Sequence, residues 1–213
     1  MAPGETYELP MFPLGAVLLP GEVLPLQVFE PRYLAMIEHC TASPERMRFG
    51  VVLIARGNEV GGGDERTGVG TVARITSCRR APGGRLLLGC VGEERIRVDE
   101  WLPDAPYPRA RVRSWPDDPS EPSADDVAAL TDRITELTDL ASTAPGAPRP
   151  PDWSQLTGSA GDRAFTLARV LPLGPLDTLR VLTAPSAAER VPVLARAVDD
   201  VVAAVRFRLG ERG

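Results

Sequence analysis

The densest group of potentially reactive side chains lies in one short segment, LPLQVFEPRYLAMIEHC at residues 24–40. It places an acid and a base on either side of a proline, Glu30 and Arg32, and the only histidine of the sequence beside a cysteine, His39 and Cys40. Cysteine–histidine catalysis requires the two side chains to meet within hydrogen-bond reach, whereas neighbours on a helix point about 100° apart. We therefore expect no nucleophilic pair here, and we expect Arg32 to fix the turn by binding Glu30 or a nearby carbonyl.

Several other catalytic chemistries are excluded by residue type. The sequence contains no lysine, so all 24 basic residues are arginines. A Walker A loop, a serine–lysine dyad and Schiff-base catalysis each need a lysine. One imidazole and three scattered cysteines, Cys40, Cys78 and Cys90, offer no metal-ligand set. We expect no catalytic residue, no metal and no cofactor, and we expect the cysteines to be buried as small apolar side chains.

A glycine-rich segment, GNEVGGGDERTGVG at residues 57–70, resembles a phosphate-binding loop in composition only. Such a loop must open a helix, because the helix N-terminus supplies the amides that bind the phosphate. The residues after Gly70 alternate like a strand. The segment is therefore predicted to be a surface loop between strands.

The composition indicates a folded protein of one or two domains. Of the 213 residues, 43% are hydrophobic and 25% are charged. The net charge of -5 argues against general binding of a phosphate backbone. The sequence shows neither a membrane-spanning apolar run nor a signal peptide at its beginning, so we expect a cytoplasmic location.

The first half of the sequence is predicted to form a small antiparallel β-barrel with one early helix. Alternating or short apolar runs predict the strands, and Pro31 stands where a helix would begin. Pro82-Gly83-Gly84 and Gly92-Glu93-Glu94 are predicted to be the turns between three consecutive antiparallel strands. The predicted strand segments are 22–30, 48–55, 69–78, 85–91 and 95–101.

The second half is predicted to be a four-helix bundle. The polar, proline-bearing segment PDDPSEPSADD at 116–126 indicates a linker that leads into a first helix, with Ser123 and Asp126 as a capping box. Further helices are predicted to begin near Ser159, Pro175 and Ser186, the last with a kink at Pro192, and a long loop is predicted at 143–153. The expected fold class is therefore α+β, with a β-barrel domain at 5–116 and an α-helical domain at 117–213.

A set of short motifs in the first half resembles one known family. The chain resembles the N-terminal substrate-binding domain of Lon proteases, a PUA-like β-barrel also found in cereblon. The segment VLTAPSAAER near the end is similar to the helical bundle of stand-alone members. The matching motifs, in order, are Phe12-Pro13-Leu14, Pro20-Gly21, Pro25-Leu26, Phe29-Glu30-Pro31-Arg32-Tyr33, Phe49-Gly50 and Gly68-Val69-Gly70-Thr71.

The resemblance implies binding of polypeptides. Complete Lon proteases continue into an ATPase and a serine–lysine peptidase, whereas this sequence stops at Gly213, so we expect no enzymatic activity from it. The implied role is an adaptor or holdase for unfolded or degron-bearing proteins, and a separate protease is a second expected partner. Predicted binding residues are Met11, Phe12, Leu14, Leu18, Phe29 and Tyr33; predicted structural residues are Glu30, Pro31, Arg32, Gly50, Gly68 and Gly70.

Binding of RNA through the barrel is the alternative. Stacking aromatic rings combined with arginines would suit a single strand. The net negative charge counts against this alternative. The residues concerned are Arg79, Arg80, Arg95, Arg97 and Arg109 to Arg113, together with Trp101, Tyr107 and Trp115.

Overall fold

The chain divides into two units of different architecture, Met1–Pro116 and Asp117–Gly213. The computed structural model describes residues 5–56, 65–141 and 150–210. Residues 57–64 of the loop predicted at 57–70 and residues 143–149 of the loop predicted at 143–153 fall outside these ranges. The loop prediction was wrong for residues 65–70, which belong to a strand. Within them, no helix is both long and apolar enough to cross a membrane.

The first unit is a closed barrel of five strands with a sixth strand on its edge. The sheet order is β2-β5-β4-β3-β1-β6, and β6 pairs back onto β5 to close the barrel. Among the described strand pairs, β1–β3 is parallel and the others are antiparallel. The elements are β1 Thr6–Leu14, β2 Val23–Val28, helix α1 Pro31–Thr41, a 3₁₀ turn Pro44–Arg46, β3 Arg48–Arg56, β4 Glu65–Arg80, a 3₁₀ turn Pro82–Gly84, β5 Leu86–Leu102 and β6 Arg109–Ser114.

The prediction of a turn at residues 92–94 was wrong, because β5 runs unbroken from Leu86 to Leu102. Its first part pairs with β2 and its last part with β6. Gly92 serves a close approach: a Cβ there would overlap the carbonyl oxygen of Leu19, and its N–H donates to the Glu22 carbonyl at 2.9 Å. A glycine within a strand often marks such an approach rather than a turn.

Alternation along the strands fills two apolar clusters. One, the barrel core, lies inside the barrel and includes Met11, Val72 and Ile96. The other, the helix-side core, packs α1 against the opposite face of the sheet. Both faces of the central strands are therefore buried, which makes β1 apolar at consecutive positions.

The described residues of the second unit form four α-helices, and the expected α+β class is confirmed. The predicted helix starts are correct: the Ser159 hydroxyl accepts from the Asp162 N–H in a full capping box, and Pro175 occupies the first helical position. Pro192 lies inside the last helix, which continues past it. The elements are α2 Ala124–Ala141, a 3₁₀ turn Trp153–Gln155, α3 Ala160–Val170, α4 Pro175–Thr183 and α5 Ala187–Gly210.

A fully buried arginine binds the start of the helical unit to α5. The Arg190 guanidinium donates to both carboxylate oxygens of Asp117, at 2.5 and 2.7 Å. It also donates to the carbonyls of Val181 and Ala184, and it lies 3.9 Å from the ring centre of Phe165. The buried charge is therefore paired and hydrogen-bonded, which burial of a charge requires.

Candidate functional site

One face of the sheet near β2 carries apolar side chains that no core covers. We call it the outer sheet face: it is the side of β2, β5 and β4 that points away from α1. The side chains on the other side of these strands, such as Leu88 and Ile75, belong to the helix-side core. The outer sheet face consists of Val23, Pro25 and Gln27 of β2, Leu87, Gly89 and Val91 of β5, and Arg74, Ser77 and Arg79 of β4.

Strand register arranges these residues in cross-strand rows. Val23 lies opposite Val91, and Pro25 lies opposite Gly89. Val23 is 70% exposed, although a β-branched apolar residue is more often covered. Directly opposed side chains on one face of a sheet lie about 5 Å apart, so the two valines form a continuous apolar strip.

The free edge of β2 borders this face. Among the described strands β2 pairs only with β5, so its other edge has no strand partner. Pro25 is exposed on this strand and has no N–H to donate. Proline on an edge strand opposes the addition of a further strand, so contact through side chains is the mode that this surface favours.

Phe29 extends the apolar surface at the turn into α1. It follows β2 directly and is 56% exposed. The next residues form the turn: Pro31 occupies the first helical position, and Arg32 Nε donates to Glu30 Oε2 at 3.2 Å. The Arg32 guanidinium also lies 4.7 Å from the ring centre of Tyr33. A locked proline and an ion pair thus fix the backbone that presents Phe29.

The other five residues predicted to bind are buried. Met11 lies in the barrel core, and Phe12, Leu14, Leu18 and Tyr33 lie in the helix-side core. The rings of Phe12 and Tyr33 stack at 4.1 Å. Of the six predicted residues the structure therefore exposes Phe29.

Two of the three motif glycines allow close packing of strands. A Cβ on Gly70 would overlap the Val51 carbonyl of the paired strand β3. A Cβ on Gly50 would lie 2.5 Å from the sulfur of Met11. A Cβ on Gly68 would have no atom within 4 Å, and the residue is exposed, so packing does not explain a glycine there.

The cysteines and the histidine do not form a reactive site. His39 is exposed at the end of α1, whereas Cys40 is fully buried. Burial, and then the neighbouring Cys90 thiol, raise the pKa of the Cys40 thiol to about 12, so it stays protonated at neutral pH. The expectation that all three cysteines are buried was wrong for Cys78, which is exposed near the end of β4. No cluster suited to a metal occurs among the described residues.

The aromatic rings considered for nucleic-acid stacking are already in contact with arginines. The guanidinium of the buried Arg95 lies 4.2 Å from the ring centre of Trp115, and that of Arg97 lies 3.9 Å from the same ring. Arg66 lies 4.6 Å from the ring centre of Trp101. A base would have to displace these contacts before it could stack.

Most of the clustered arginines are also paired with carboxylates, and Tyr107 is buried. An arginine bound to a neighbouring acid contributes little field to attract a phosphate. The surface around β6 is therefore a ladder of alternating charges rather than a basic patch. The pairs are Arg109–Glu8 at 3.8 Å, Arg111–Glu100 at 2.6 Å, Arg113–Asp99 at 2.7 Å and, elsewhere in the unit, Arg80–Glu38 at 3.7 Å.

The helical unit contains a cleft of about 310 Å³ between α2, α3 and the turn before α3. Its α2 wall presents three threonines, Thr131, Thr135 and Thr138, with Trp153 on the other side. Each threonine hydroxyl donates to the carbonyl four residues earlier in α2. The wall therefore offers a ligand no unused hydroxyl donor, and we regard the outer sheet face as the stronger candidate.

Comparison with known proteins places this geometry in a family. Residues 8–199 match the family described as the ATP-dependent protease La (LON) substrate-binding domain. The Lon protease of Flavobacterium johnsoniae is 28% identical over 131 residues, which is 61% of this chain and 16% of that protein. Lon protease 1 of Herpetosiphon aurantiacus is 28% identical over 200 residues, 89% of this chain and 23% of that protein. The chain thus spans less than a quarter of the length of these relatives.

Two solved structures share the fold over nearly the whole chain. The Lon N-terminal domain protein from Xanthomonas campestris has a TM-score of 0.61 and 27% identity, and the alignment covers 92% of this chain and 98% of that one. The N-terminal domain of the Mycobacterium avium complex Lon protease has a TM-score of 0.64 and 19% identity, with 91% and 99% covered. The profile match, which covers most of the sequence, shows the family. This chain belongs to the family of Lon substrate-binding domains.

Proposed function

We propose that this chain binds unfolded or degron-bearing polypeptides through the outer sheet face and Phe29, without catalysing a reaction itself. The observation that carries the proposal is the apolar strip of the exposed Val23 and the half-buried Val91, together with the exposed Phe29 beyond the end of β2. Exposed apolar patches on a folded domain mark interaction sites. The family match supports the same class of ligand.

The surface suits an extended, mobile chain. Apolar side chains of an unfolded segment gain about 25 cal/mol per Å² of area that they remove from water. A rigid sheet face pays little ordering entropy of its own, and a turn fixed by Pro31 and the Glu30–Arg32 pair keeps Phe29 in place. Such a site would slow aggregation of a client or hand it to a separate protease, which is the adaptor or holdase role.

Nucleic-acid binding is the weaker candidate. It would need free cations and open rings, whereas the arginines near β6 are paired and Trp115 is in contact with two guanidinium groups. The net charge of -5 adds long-range repulsion of a polyanion.

Replacement of Phe29 by serine is expected to weaken binding of an unfolded model protein about tenfold, since loss of an aromatic contact in a binding site costs roughly 1–2 kcal/mol. Binding is measured by fluorescence anisotropy with a labelled, permanently unfolded protein. Suppression of aggregation at a fixed ratio of chain to client should fall in parallel.

Phe207→Ser is the matched control. Phe207 is 68% exposed but lies in the helical unit, so its loss removes a similar exposed ring without touching the outer sheet face. Equal affinities for the wild-type chain and Phe29→Ser, or a loss confined to Phe207→Ser, would contradict the proposed site. Failure of the wild-type chain to bind any unfolded protein would contradict the proposed function.

A further inference from the structure

We propose that the outer sheet face selects apolar segments that also carry carboxylates. The preferred client would be an extended peptide with Asp or Glu beside its apolar residues. This inference rests on the proposed function and specifies its substrate class. The feature that supports it is a pair of exposed arginines that form no ion pair with a described residue, at the end of the face where β4 and β5 meet in their hairpin.

The first of these arginines is Arg79. It lies on β4 directly opposite Leu87 of β5 and is exposed. It makes no ion pair with any residue that the structure describes, whereas the adjacent Arg80 pairs with Glu38 of α1 on the other side of the sheet. Because neighbouring side chains of a strand point to opposite sides of the sheet, Arg80 reaches Glu38 whereas Arg79 does not.

The second arginine is Arg85, which directly precedes β5. Its backbone is extended, with φ -76° and ψ 153°, so it falls on the same side of the sheet as Leu87, two positions later. It is exposed and has no ion pair within the described part of the chain. Arg79 and Arg85 therefore both flank Leu87, the apolar residue of the outer sheet face nearest to the hairpin.

Among the residues that the structure describes, no acid on this face neutralises Arg79 or Arg85. The paired parts of β2, β4 and β5 that form the face, residues 23–28, 73–80 and 86–91, contain no Asp or Glu. Two acids at its border are already engaged: Glu93 binds Arg74 at 2.5 Å, and Glu22 accepts from the Leu19 N–H at 2.8 Å. The face is locally positive on a chain whose net charge is -5.

This charge selects a carboxylate-bearing peptide rather than a basic or neutral one. A guanidinium is a fork of donors that matches a carboxylate, and a client that brings an acid next to its apolar residues satisfies the fork while its apolar side chains cover Val23 and Val91. Two free arginines are few for a polyanion, which needs many phosphate contacts for useful affinity. A peptide with both apolar and acidic residues therefore matches the apolar strip and the two arginines of the face.

The test compares two labelled peptides with the same apolar sequence, one flanked by aspartates and one by glutamines. In low salt the aspartate peptide is expected to bind the wild-type chain about fivefold more tightly, because each exposed pair contributes modestly. Arg79→Gln/Arg85→Gln should abolish that difference, and high salt should reduce it. Arg196→Gln/Arg208→Gln is the control, since it removes two exposed arginines from α5 and gives the same net charge.

Equal affinities for the two peptides would overturn this inference. If Val23→Ser also weakened the binding of both peptides equally, the proposed function would still hold. Absence of binding by either peptide would contradict the function and the inference alike. An RNA oligomer provides the last comparison. If it bound more tightly than the aspartate peptide, and if Arg79→Gln/Arg85→Gln abolished that binding, the face would be a nucleic-acid surface and the inference would be overturned.

Discussion

Replacement of Arg190 by alanine is expected to lower the free energy of unfolding of the helical unit by about 3–5 kcal/mol. The side chain is fully buried, and its removal takes away the hydrogen bonds that it donates to the Asp117 carboxylate and to the carbonyls of Val181 and Ala184. It also leaves a cavity beside Phe165. Urea denaturation gives the size of the loss, and amide hydrogen exchange in α3 to α5 locates it.

Arg196→Ala provides the control for this prediction. Arg196 lies on the same helix but is exposed, so its replacement should change the unfolding free energy by no more than about 0.5 kcal/mol. A loss below about 1 kcal/mol for Arg190→Ala would show that the buried pair does not stabilise the unit as described.

Replacement of Tyr33 by alanine is expected to cost the barrel unit about 3–5 kcal/mol, the range for deletion of a large buried ring. Tyr33 is 2% exposed and stacks on Phe12, whose ring also lies 5.9 Å from that of Phe49. Loss of the ring therefore opens the helix-side core beneath α1. The measurement is denaturant unfolding with amide exchange in α1 and β1.

Tyr33→Phe separates the core role from a binding role. It keeps the stacked ring and removes only the hydroxyl, so its cost should stay near 1 kcal/mol. A Tyr33→Ala chain that unfolds at the wild-type denaturant concentration but no longer binds polypeptide would mean that Tyr33 contacts clients directly. The two variants thus test the assignment of this motif residue to the core.

The local elements could be predicted where one residue type decides the backbone. Pro31 at the start of α1, the hairpin at 82–84 and the capping box of Ser159 each follow from properties of single side chains. The prediction of a turn at 92–94 was wrong because a glycine alone does not show whether it serves a turn or a close contact. Gly92 is required by the approach of Leu19, which is distant in sequence and leaves no local signal.

The location of the candidate site could be predicted only in part. Phe12 and Leu14 were expected near a surface, but β1 has one face in the barrel core and the other under α1, and alternation alone cannot show that both faces are covered. Phe29 was identified because it belongs to a family motif. Val23 and Leu87 were not predicted as binding residues, and Arg79 was considered only for RNA, since only the register of β2, β5 and β4 brings the three to one face.

Buried charge was the other feature that sequence patterns missed. Arg190 looks like any arginine on an amphipathic helix, and Asp117 looks like part of a polar linker. Their pairing depends on a residue near the start of the helical unit meeting the last helix, 73 positions away. A helical pattern predicts which face is apolar but not that an arginine will lie within it.

The central claim, that unfolded polypeptide binds to the outer sheet face, is tested most directly by site-specific photocrosslinking. A photoreactive side chain is placed at Val23 in one variant and at Leu176 in another, positions that are 70% and 65% exposed in the barrel and helical units respectively. With a labelled unfolded protein as client, we predict that the Val23 position gives most of the adducts and that excess unlabelled client suppresses them. Adducts that are as abundant at the Leu176 position, or confined to it, would contradict the claim.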